Sequence, residues 1–389
     1  MARALSRFDV EVTSAQSHPA KSSVLFVLPS LEAGGAERVV ITMLRHLDRE
    51  RFAPTLAVLD NRNPVFAADV PADVEVIRLG TNRLRYSLFA ILRLAWSRRF
   101  DLIFTTIGHL NLGSSLLRPV FPSGVKLVVR EASIVSEVLA TSRGSSPLRL
   151  AYRALYRFCD KVVCQSEFMK RDLVESIGVR GREIVVIQNP IDLTRVRALM
   201  REELPPDLAA PPDEATINLA AVGRLDHAKG FDLLIRAIAL CDDPRLRVTI
   251  LGEGPLRAEL EALAGKMGVG SQVRLAGFRR NPYALLSRSD ALVLSSRHEG
   301  MPNVVLEALA CGTSVIATPA PGGLFEIVNG RANCIVAREL TAEALSEAIQ
   351  AFTSGARSGV AEADLREFSA ESVTRRYERL FSEVLGRSE

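Results

Sequence analysis

Short apolar runs alternate with longer segments of helical periodicity, and this alternation occurs twice along the chain. The runs are rich in valine, isoleucine and leucine, and they recur through residues 23–164 and again through residues 217–317. Strands separated by helices pair in parallel, because each helical crossover returns the chain to the same edge of the sheet. The pattern therefore predicts an α/β protein with two doubly wound parallel sheets that face each other across a cleft.

The positions of the runs divide the chain into two domains. The first strands are predicted at 23–29, 55–59, 74–78, 102–105, 126–130 and 161–164, and the second set at 217–222, 247–251, 273–276, 291–294 and 314–317. Asn189-Pro190 ends the first set, since the residue before a proline avoids helical geometry. The domains predicted from these limits are a flexible tail over 1–22, a first domain over 23–190, a second over 191–369, and a helix over 370–389 that packs back on the first.

Composition excludes several classes of protein. The five cysteines are odd in number and scattered in apolar surroundings, which favours reduced core residues over disulfides or a zinc site. The longest apolar stretch, Leu84 to Trp96, contains Arg93 and is too short to span a bilayer. No export signal is visible in the first residues, so a cytoplasmic location is expected.

Positive charge is concentrated in the first half of the chain. Lys and Arg outnumber Asp and Glu by 26 to 18 in residues 1–190, whereas residues 191–389 hold 23 of them against 27. A basic stripe at four-residue spacing on an amphipathic segment consists of Arg149, Arg153, Arg157 and Lys161. A solvated helix face and contact with an anionic membrane both explain this stripe. Nucleic acid fits poorly, because the basic segments lack interleaved aromatic side chains.

Two glycines, Gly34 and Gly35, lie between the first predicted strand and a helical segment. Glycines at such a turn let backbone N–H groups approach a phosphate at the positive end of the helix. A tight turn without a ligand explains the same residues. The glycines also lack the spacing of a dinucleotide-binding loop, so the sequence leaves a phosphate contact and a plain turn open here.

A loop with two cations follows the first strand of the second set. It contains Gly223-Arg224 and, five residues later, Lys229-Gly230. An arginine fork and a lysine point charge at the carboxyl end of a strand can neutralise a diphosphate. Taken alone, the two residues fit solvated loop cations as well.

The strongest local signal is the segment Glu299-Gly300-Met301-Pro302-Asn303-Val304, with Glu307 following in an apolar run. The segment predicts a loop whose amides open a helix near Val304 and face an anion. Glu307 then lies in the first turns of that helix, within reach of a bound ligand. Two ordinary surface carboxylates are the alternative, but an unpaired carboxylate in an apolar run is costly, which favours a binding role.

With these segments in place, residues 24–385 resemble the glycosyltransferases of family 4, which have the GT-B fold of two facing Rossmann-like domains. The resemblance is carried by Gly34-Gly35-Ala36-Glu37, Gly223-Arg224 with Lys229-Gly230, Gly252-Glu253-Gly254-Pro255, and the pair Glu299 and Glu307 eight residues apart. The segment from Glu299 to Thr313 is similar to bacterial enzymes that build lipid-linked oligosaccharides, exopolysaccharide or O-antigen.

This resemblance implies roles at the donor phosphates and sugar. Arg224 and Lys229 would bind the donor diphosphate, and Gly34 and Gly35 would let the first domain touch it. Glu299 would meet the sugar and the distal phosphate together with the amides of Gly300, Met301, Pro302, Asn303 and Val304.

The resemblance implies further roles at the nucleoside and the sugar. Glu307 would bind the ribose hydroxyls, and the nucleobase would be bordered by Gly252, Gly254, Phe278 and Arg279. His109 follows a strand of the first domain, at the place where relatives present a histidine to the sugar. A lone histidine is equally well explained as a structural residue.

The resemblance also implies retention of anomeric configuration. The sequence offers no obvious nucleophilic carboxylate for a double displacement. A same-face reaction is therefore expected, in which the leaving diphosphate takes the proton of the acceptor hydroxyl and catalysis is mainly electrostatic. Neither an Asp-x-Asp triplet nor a carboxylate cluster occurs in the sequence, and neither a metal nor another cofactor is expected.

The expected substrates follow from the same resemblance. The donor would be a UDP-sugar or, second, a GDP-sugar carrying a hexose or N-acetylhexosamine. The acceptor would be a glycan, free or on a polyprenyl diphosphate, handled at the inner face of the cytoplasmic membrane. An epimerase of the same fold, a phosphorylase or transferase with a soluble acceptor, and a non-catalytic nucleotide-sugar-binding protein remain alternatives.

Overall fold

The computed structural model describes residues 21–32, 34–60, 64–80, 84–142, 145–180, 183–208, 215–355 and 364–387. All but the last two residues of the predicted tail, 1–22, lie outside these ranges. The described residues form two parallel sheets flanked by helices, which is the α/β architecture that the alternation predicts.

The first sheet has the strand order β3-β2-β1-β4-β5-β6-β7, and all its strands are parallel. Its strands in the described chain are β1 (Ser22–Leu28), β2 (Phe52–Val58), β3 (Glu75–Arg78), β4 (Leu102–Thr106), β5 (Lys126–Arg130), β6 (Lys161–Cys164) and β7 (Ile184–Val186). Its helices are α1 (Gly35–His46), α2 (Leu84–Ser97), α3 (Gly108–Leu117), α4 (Val135–Thr141), α5 (Ser145–Leu155) and α6 (Glu167–Arg171), which continues into a π-helical turn.

The second sheet has the order β10-β9-β8-β11-β12-β13 and is also parallel. Its strands in the described chain are β8 (Ile217–Val222), β9 (Leu246–Leu251), β10 (Val273–Gly277), β11 (Ala291–Leu294), β12 (Ser314–Ala317) and β13 (Cys334–Val336). The helices are α7 (Leu193–Leu199), α8 (Phe231–Cys241), α9 (Arg257–Lys266), α10 (Tyr283–Leu286), α11 (Asn303–Ala310), α12 (Leu324–Val328), α13 (Ala342–Ser354) and α14 (Ala370–Leu385).

Strand β1 shows why the apolar runs are continuous rather than alternating. Leu25 and Val27 point into one hydrophobic core, while Val24, Phe26 and Leu28 point into the core on the opposite face. Helices cover both faces of a parallel sheet, so both sides of a central strand are buried. The same arrangement holds in the second half, where two further cores enclose the sheet.

Two strands of the structure were not predicted from the sequence. Strand β7 and strand β13 have three residues each and lie at the edges of their sheets. Their side chains are mostly half-buried, because only one neighbouring strand covers them. Runs this short carry too little periodicity to be separated from a loop.

The basic stripe predicted over Arg149, Arg153, Arg157 and Lys161 is broken in the structure. Helix α5 ends at Leu155, and Arg157 lies in a 3₁₀ turn with its guanidinium 4.8 Å from the Phe158 ring centroid. Lys161 begins β6, and its ammonium group lies 3.1 Å from the Glu383 carboxylate. Only Arg149 and Arg153 share the exposed face of the helix, so the prediction of one continuous basic face was wrong.

The last helix, α14, belongs to the core of the first half. The Phe381 ring lies 5.7 Å from the Phe104 ring and 6.2 Å from the Phe26 ring, and the three side chains are fully buried. The chain passes between the halves at two adjacent points. The Ile191 backbone N–H donates to the Phe368 carbonyl oxygen, and the Ile191 carbonyl oxygen accepts from the Ala370 N–H. These crossings fasten the start of the second half to the start of α14.

We predict that Phe381→Ala lowers stability by about 3 to 5 kcal/mol, the usual cost of the cavity left by a buried phenylalanine. Loss of helical circular dichroism during thermal unfolding would measure it. Phe325→Ala is the matched control, because Phe325 is 43% exposed. An equal loss in both variants would mean that α14 is not anchored by this core.

Candidate active site

The ion pair between Lys229 and Glu299 lies at the carboxyl edge of the second sheet. Strands β8 and β11 are neighbours, so the loops that follow them emerge side by side. The Lys229 Nζ lies 2.6 Å from Glu299 Oε1, and Ser296 Oγ donates to the same oxygen at 2.6 Å. Glu299 is buried. Lys229 and Glu299, which the sequence places in separate motifs, therefore form one ion pair.

The backbone around Lys229 explains how the lysine reaches Glu299. Lys229 ends a 3₁₀ turn capped by Asp226, whose carboxylate accepts from the Lys229 backbone N–H. Gly230 follows with φ +61°, and a Cβ there would collide with the carbonyl oxygen of Ser295. Only glycine tolerates both constraints, and the lysine stem then packs over Gly223.

Arg224, the other predicted phosphate ligand, is not part of this ion pair. Its side chain is 73% exposed, and its guanidinium lies 3.9 Å from the Asp226 carboxylate. An exposed pair at this separation contributes little to stability. Arg224 is therefore free to reorient toward a ligand.

The glycines expected beside a nucleobase serve backbone packing. A Cβ on Gly252 would collide with the carbonyl oxygen of Gly223, and one on Gly254 with that of Leu225. These glycines let the loop after β9 lie directly against the loop after β8. Their presence therefore follows from loop packing and needs no ligand.

The other two nucleobase candidates differ in their surroundings. Phe278 is 38% exposed at the end of β10. Arg279 donates to the Asp207 carboxylate at 2.5 Å. A base could stack on Phe278, whereas Arg279 is engaged by the segment that precedes the second sheet.

Helix α11 begins at Asn303, next to the predicted start. The preceding loop lies between the two halves. A Cβ on Gly300 would approach Ala132 and Gln165, and the buried Met301 accepts a weak hydrogen bond from the Asn189 N–H. The loop that opens α11 is therefore held by both halves of the chain.

Glu307, in the fifth position of α11, is buried and paired across the cleft. The Arg38 guanidinium of α1 donates to Glu307 Oε1 at 2.6 Å and to the Tyr283 hydroxyl at 3.2 Å. The Tyr283 hydroxyl lies 3.4 Å from the same carboxylate oxygen. Burial opposes the charge of Arg38, but Glu307 and Tyr283 outweigh it and raise the pKa of Arg38. The apolar run around Glu307 predicted a binding role for this carboxylate, and in the structure the group that contacts it is Arg38.

Sequence reasoning assigned no role to Arg38 or Tyr283. Arg38 directly follows the Gly-Gly-Ala-Glu segment, in the first turn of the helix that this segment opens. A cation there, facing a cleft that holds one buried carboxylate, is the signal that could have identified it. Tyr283 lies in a four-residue helix and carries no comparable signal.

The Glu37 side chain occupies the N-terminus of its own helix, α1. Gly34 precedes the helix, and a Cβ there would collide with the Glu37 carboxylate, which folds back over the first turn. Burial raises the pKa of Glu37. Gly35 lies against Asn303, whose amide nitrogen is 3.5 Å from the Gly35 carbonyl oxygen. The two glycines thus make room for Glu37 and for the loop of the second half.

An amide relay joins the first sheet to α11. Arg130 is fully buried at the end of β5 and donates to Asn189 Oδ1 at 2.5 Å. The Asn189 amide then donates to Asn303 Oδ1 at 2.6 Å. The first residue of α11 is therefore fixed by a buried guanidinium of the other half.

His109 lies in the first turn of α3, just after a strained residue. Ile107 has φ +78°, a region that a β-branched residue occupies at a cost of about 1 to 3 kcal/mol. The His109 side chain is exposed, although partial burial lowers its pKa. Such strain occurs where a structure must aim a side chain, which is consistent with the predicted role of His109.

A buried carboxylate lies beneath this turn. Glu131 accepts from the Asn111 amide at 3.1 Å and from the Tyr156 hydroxyl. Burial raises the pKa of Glu131. The Tyr152 hydroxyl fills the space beside Gly108. These groups fix the start of α3 from below.

The cleft floor is a cavity of about 60 Å³ lined by both halves. Asp69 lies on this floor and contacts three guanidinium groups. Its backbone carbonyl oxygen accepts from Arg45 at 2.7 Å, and its carboxylate accepts from Arg195 at 2.6 Å and from Arg280 at 2.8 Å. Burial opposes its charge, but the arginines outweigh burial and lower the pKa of Asp69. One carboxylate of the first half is thus bound by two arginines of the second.

His46 makes a second charged contact across the floor. Its ring nitrogens lie 3.5 Å from the carboxylates of Asp192 and Glu371. The hydrogen bond to Asp192 raises the pKa of His46, and the opposing effects of burial and Arg45 are smaller.

Among the described residues, no group of three or more His, Cys, Asp or Glu side chains could hold a metal ion. In the same residues, no helix is long and apolar enough to cross a membrane.

Comparison with known proteins agrees with this geometry. Residues 33–195 match the family described as Glycosyltransferase Family 4, and residues 201–364 match Glycosyl transferases group 1. The chain is 32% identical over 245 residues to the lipopolysaccharide core biosynthesis glycosyltransferase LpsE of Rhizobium meliloti, covering 61% of this chain and 68% of LpsE.

A second relative acts on a lipid-linked glycan. It is the N-acetylgalactosamine-N,N'-diacetylbacillosaminyl-diphospho-undecaprenol 4-alpha-N-acetylgalactosaminyltransferase of Campylobacter jejuni, which is 27% identical over 77% of this chain and 81% of the relative. Among solved structures, Anabaena HepE in complex with UDP and glucose superposes with a TM-score of 0.77 at 20% identity, over 93% of this chain and all of HepE. This likeness establishes the shared fold of two facing sheets.

We predict that His46→Gln destabilises the protein at pH 6 and has little effect above pH 8. The folded pKa of His46 is raised, so the ion pairs stabilise fully below the unfolded pKa of about 6.5 and are lost as pH rises through the folded pKa. Thermal midpoints from pH 5.5 to 8.5 would measure this. His227→Gln, at an exposed histidine of the second half, is the control. A pH-independent difference between wild type and His46→Gln would contradict it.

Proposed function

Because the chain belongs to family 4 of the glycosyltransferases, we propose that it transfers a hexose or N-acetylhexosamine with retention of anomeric configuration. The donor is a nucleotide-diphosphate sugar, a UDP-sugar before a GDP-sugar. The acceptor is a glycan, free or carried on a polyprenyl diphosphate, in cell-surface polysaccharide assembly. The protein works at the inner face of the cytoplasmic membrane, in peripheral contact with anionic lipid.

One observation carries this proposal. The Lys229–Glu299 ion pair lies at the start of the loop that opens α11, and Glu307 follows one turn inside the same helix. A helix N-terminus with a cation beside it suits a diphosphate. A carboxylate within that helix suits ribose hydroxyls, which are hydrogen-bond donors. The site therefore offers complementary groups to each part of a nucleotide-diphosphate sugar.

The names and ligands of relatives support the choice of substrates. HepE binds UDP and glucose, which favours a UDP-sugar here. The Campylobacter jejuni relative acts on a diphospho-undecaprenol glycan, and LpsE takes part in lipopolysaccharide core biosynthesis. The acceptor named for the Campylobacter jejuni relative supports a lipid-linked glycan as the acceptor class here.

The reaction proposed here takes place on one face of the sugar. The acceptor hydroxyl oxygen bonds to the anomeric carbon as the bond to the diphosphate oxygen breaks, and the departing diphosphate takes the hydroxyl proton. Lys229, Arg224 and the amides at the start of α11 stabilise the charge that develops on the diphosphate. These cations supply that stabilisation without a metal ion, and His109 contacts the sugar from the first half.

A ribose hydroxyl that donates to Glu307 Oε1 competes with Arg38, whose guanidinium donates to the same oxygen. The two groups are 2.6 Å apart in the structure, which leaves no room for a hydroxyl between them. Arg38 is therefore a competitor of the ribose. Once displaced, its guanidinium remains beside the cleft, where the diphosphate is proposed to bind.

The experiment that tests the function is a thermal-shift screen of nucleotide-diphosphate sugars in EDTA. We expect one donor to stabilise the wild type by about 2.7 kcal/mol at a hundredfold excess over its dissociation constant. Glu307→Gln should lose most of this shift, and Glu339→Gln, at an exposed glutamate of the same half, should keep it. Donor turnover that needs an added acceptor then separates a transferase from an epimerase. No shift with any donor would count against the proposal.

We predict that Arg38→Met binds uridine about tenfold more tightly than the wild type, a gain of about 1.4 kcal/mol, because the ribose no longer competes with a guanidinium for Glu307. Uridine carries the ribose without phosphates, so calorimetry with it isolates Glu307. Arg338→Met, which removes a surface ion pair with Glu347, is the matched control. Unchanged or weaker uridine binding by Arg38→Met would rule out the competition.

A further inference from the structure

The outer face of α2 presents large apolar side chains to solvent. Phe89 is 69% exposed and Trp96 is 65% exposed. They are seven residues apart, so they lie on the same side of the helix, with Arg93 between them. The opposite side of α2 is buried in the core through Ile91 and Ala95. Helix α2 therefore has one face that packs against the sheet and a second apolar face that the described chain leaves uncovered.

The end of α3 continues this surface. The Trp96 indole N–H donates to the carbonyl oxygen of Val120 at 3.0 Å, which places the ring beside the turn that follows α3. Val120 and Leu116 are themselves more than half exposed. Single exposed apolar residues are ordinary, but a contiguous group marks a contact site. We call Phe89, Trp96, Leu116 and Val120 the α2 patch.

The segment that carries the α2 patch is rich in arginine. Between Leu79 and Val125 the sequence contains one acidic residue, Asp101, and six arginines, of which Arg98 and Arg118 pair with Glu75 and Asp160 from outside the segment. The carboxylate of Asp101 accepts a hydrogen bond from the Ser23 backbone, so it is turned toward β1. Arg93 lies within the patch, and its side chain is exposed. A partner for this surface must be apolar and anionic together.

From this combination we infer that the α2 patch is the surface that docks on an anionic phospholipid membrane. Tryptophan and phenylalanine insert at the boundary between headgroups and acyl chains, and arginine pairs with lipid phosphates. Apolar insertion and charge attraction together are what reversible anchoring requires. A second copy of the chain fits worse, because a two-fold interface would bring Arg93 close to its own equivalent.

The inference rests on the proposed function only for the choice of a membrane as partner, since a lipid-linked acceptor is presented there. It replaces the broken basic face of α5 as the membrane contact. Arg149 and Arg153 remain exposed on α5, and their contribution is separable by mutation. The α2 patch differs from α5 in combining two aromatic side chains with an arginine.

The sequence provides its own reporter, because Trp96 is the single tryptophan of the chain. We expect its emission to shift to the blue, and quenching by acrylamide to fall, when the full-length protein meets vesicles of phosphatidylglycerol and phosphatidylcholine. Vesicles of phosphatidylcholine alone should leave both unchanged. Vesicle flotation measures the bound fraction independently. If the protein floats with anionic vesicles while Trp96 emission stays constant, the α2 patch is not the contact.

Variants locate the contact further. Arg93→Glu should weaken vesicle partitioning about twenty-five-fold, since each arginine charge near an anionic surface contributes about fivefold and reversal counts twice. Phe89→Ser should also release the protein from vesicles, whereas Phe325→Ser, at an exposed phenylalanine of the second half, should not. Partitioning that responds to Arg149→Glu or Arg153→Glu and not to Arg93→Glu would overturn the inference.

Two further measurements separate the possible failures. Light scattering shows whether the protein is a dimer that Phe89→Ser dissociates, and such a dimer would assign the α2 patch to a second copy instead. Uridine diphosphate binding is measured on the wild-type protein without vesicles. A wild-type protein that binds uridine diphosphate but not anionic vesicles refutes the docking surface alone, whereas one that binds the vesicles but not uridine diphosphate refutes the donor site alone.

Discussion

The parallel pairing of both sheets is the constraint on which the site depends. In a parallel sheet every strand ends at the same edge, so the loops after β1, β4 and β5 emerge together in one half, and those after β8 and β11 do so in the other. When the two edges face each other, residues far apart in sequence meet. Arg38 and Glu307 are separated by 269 residues and are in direct contact. Neither the ion pair nor the shared loop before α11 would form if one sheet presented its opposite edge.

Charge in the cleft is held in ion pairs that the proposed donor can exchange. A buried charge without a partner is strongly destabilising, and a pair with good geometry limits that cost. Lys229 pairs with Glu299, and Arg38 pairs with Glu307, so each of these buried carboxylates has a cationic partner. A nucleotide-diphosphate sugar carries phosphates for the cations and hydroxyls for the carboxylates. Binding can then replace one set of partners with another without exposing a lone buried charge. Arg224, by contrast, is exposed and gives up little to reach a phosphate.

The sequence predicted those parts of the structure that depend on local pattern. Continuous apolar runs located the central strands, and the segment from Glu299 to Asn303 located the start of α11 within one residue. The features that the sequence did not predict depend on tertiary contacts. The partner of Glu307 comes from the other half, and no local pattern connects α1 with α11. The four basic residues read as one face were separated because the helix ends at Leu155 and Lys161 enters a strand. Three-residue edge strands likewise exist only through their neighbours.

Helix α3 connects the α2 patch with the cleft. It begins beside His109, at the carboxyl edge of the first sheet, and ends beside Leu116 and the turn that contacts Trp96. Ten residues at about 1.5 Å each make this helix about 15 Å long. A membrane that touches its far end therefore lies a short distance from the cleft, comparable to the span of a diphosphate and its first sugars. On the proposed function, a lipid-linked glycan can keep its lipid in the bilayer while its reacting end enters between the two halves. On the same proposal, the strained Ile107 directs the start of α3 toward the point at which donor and acceptor would meet.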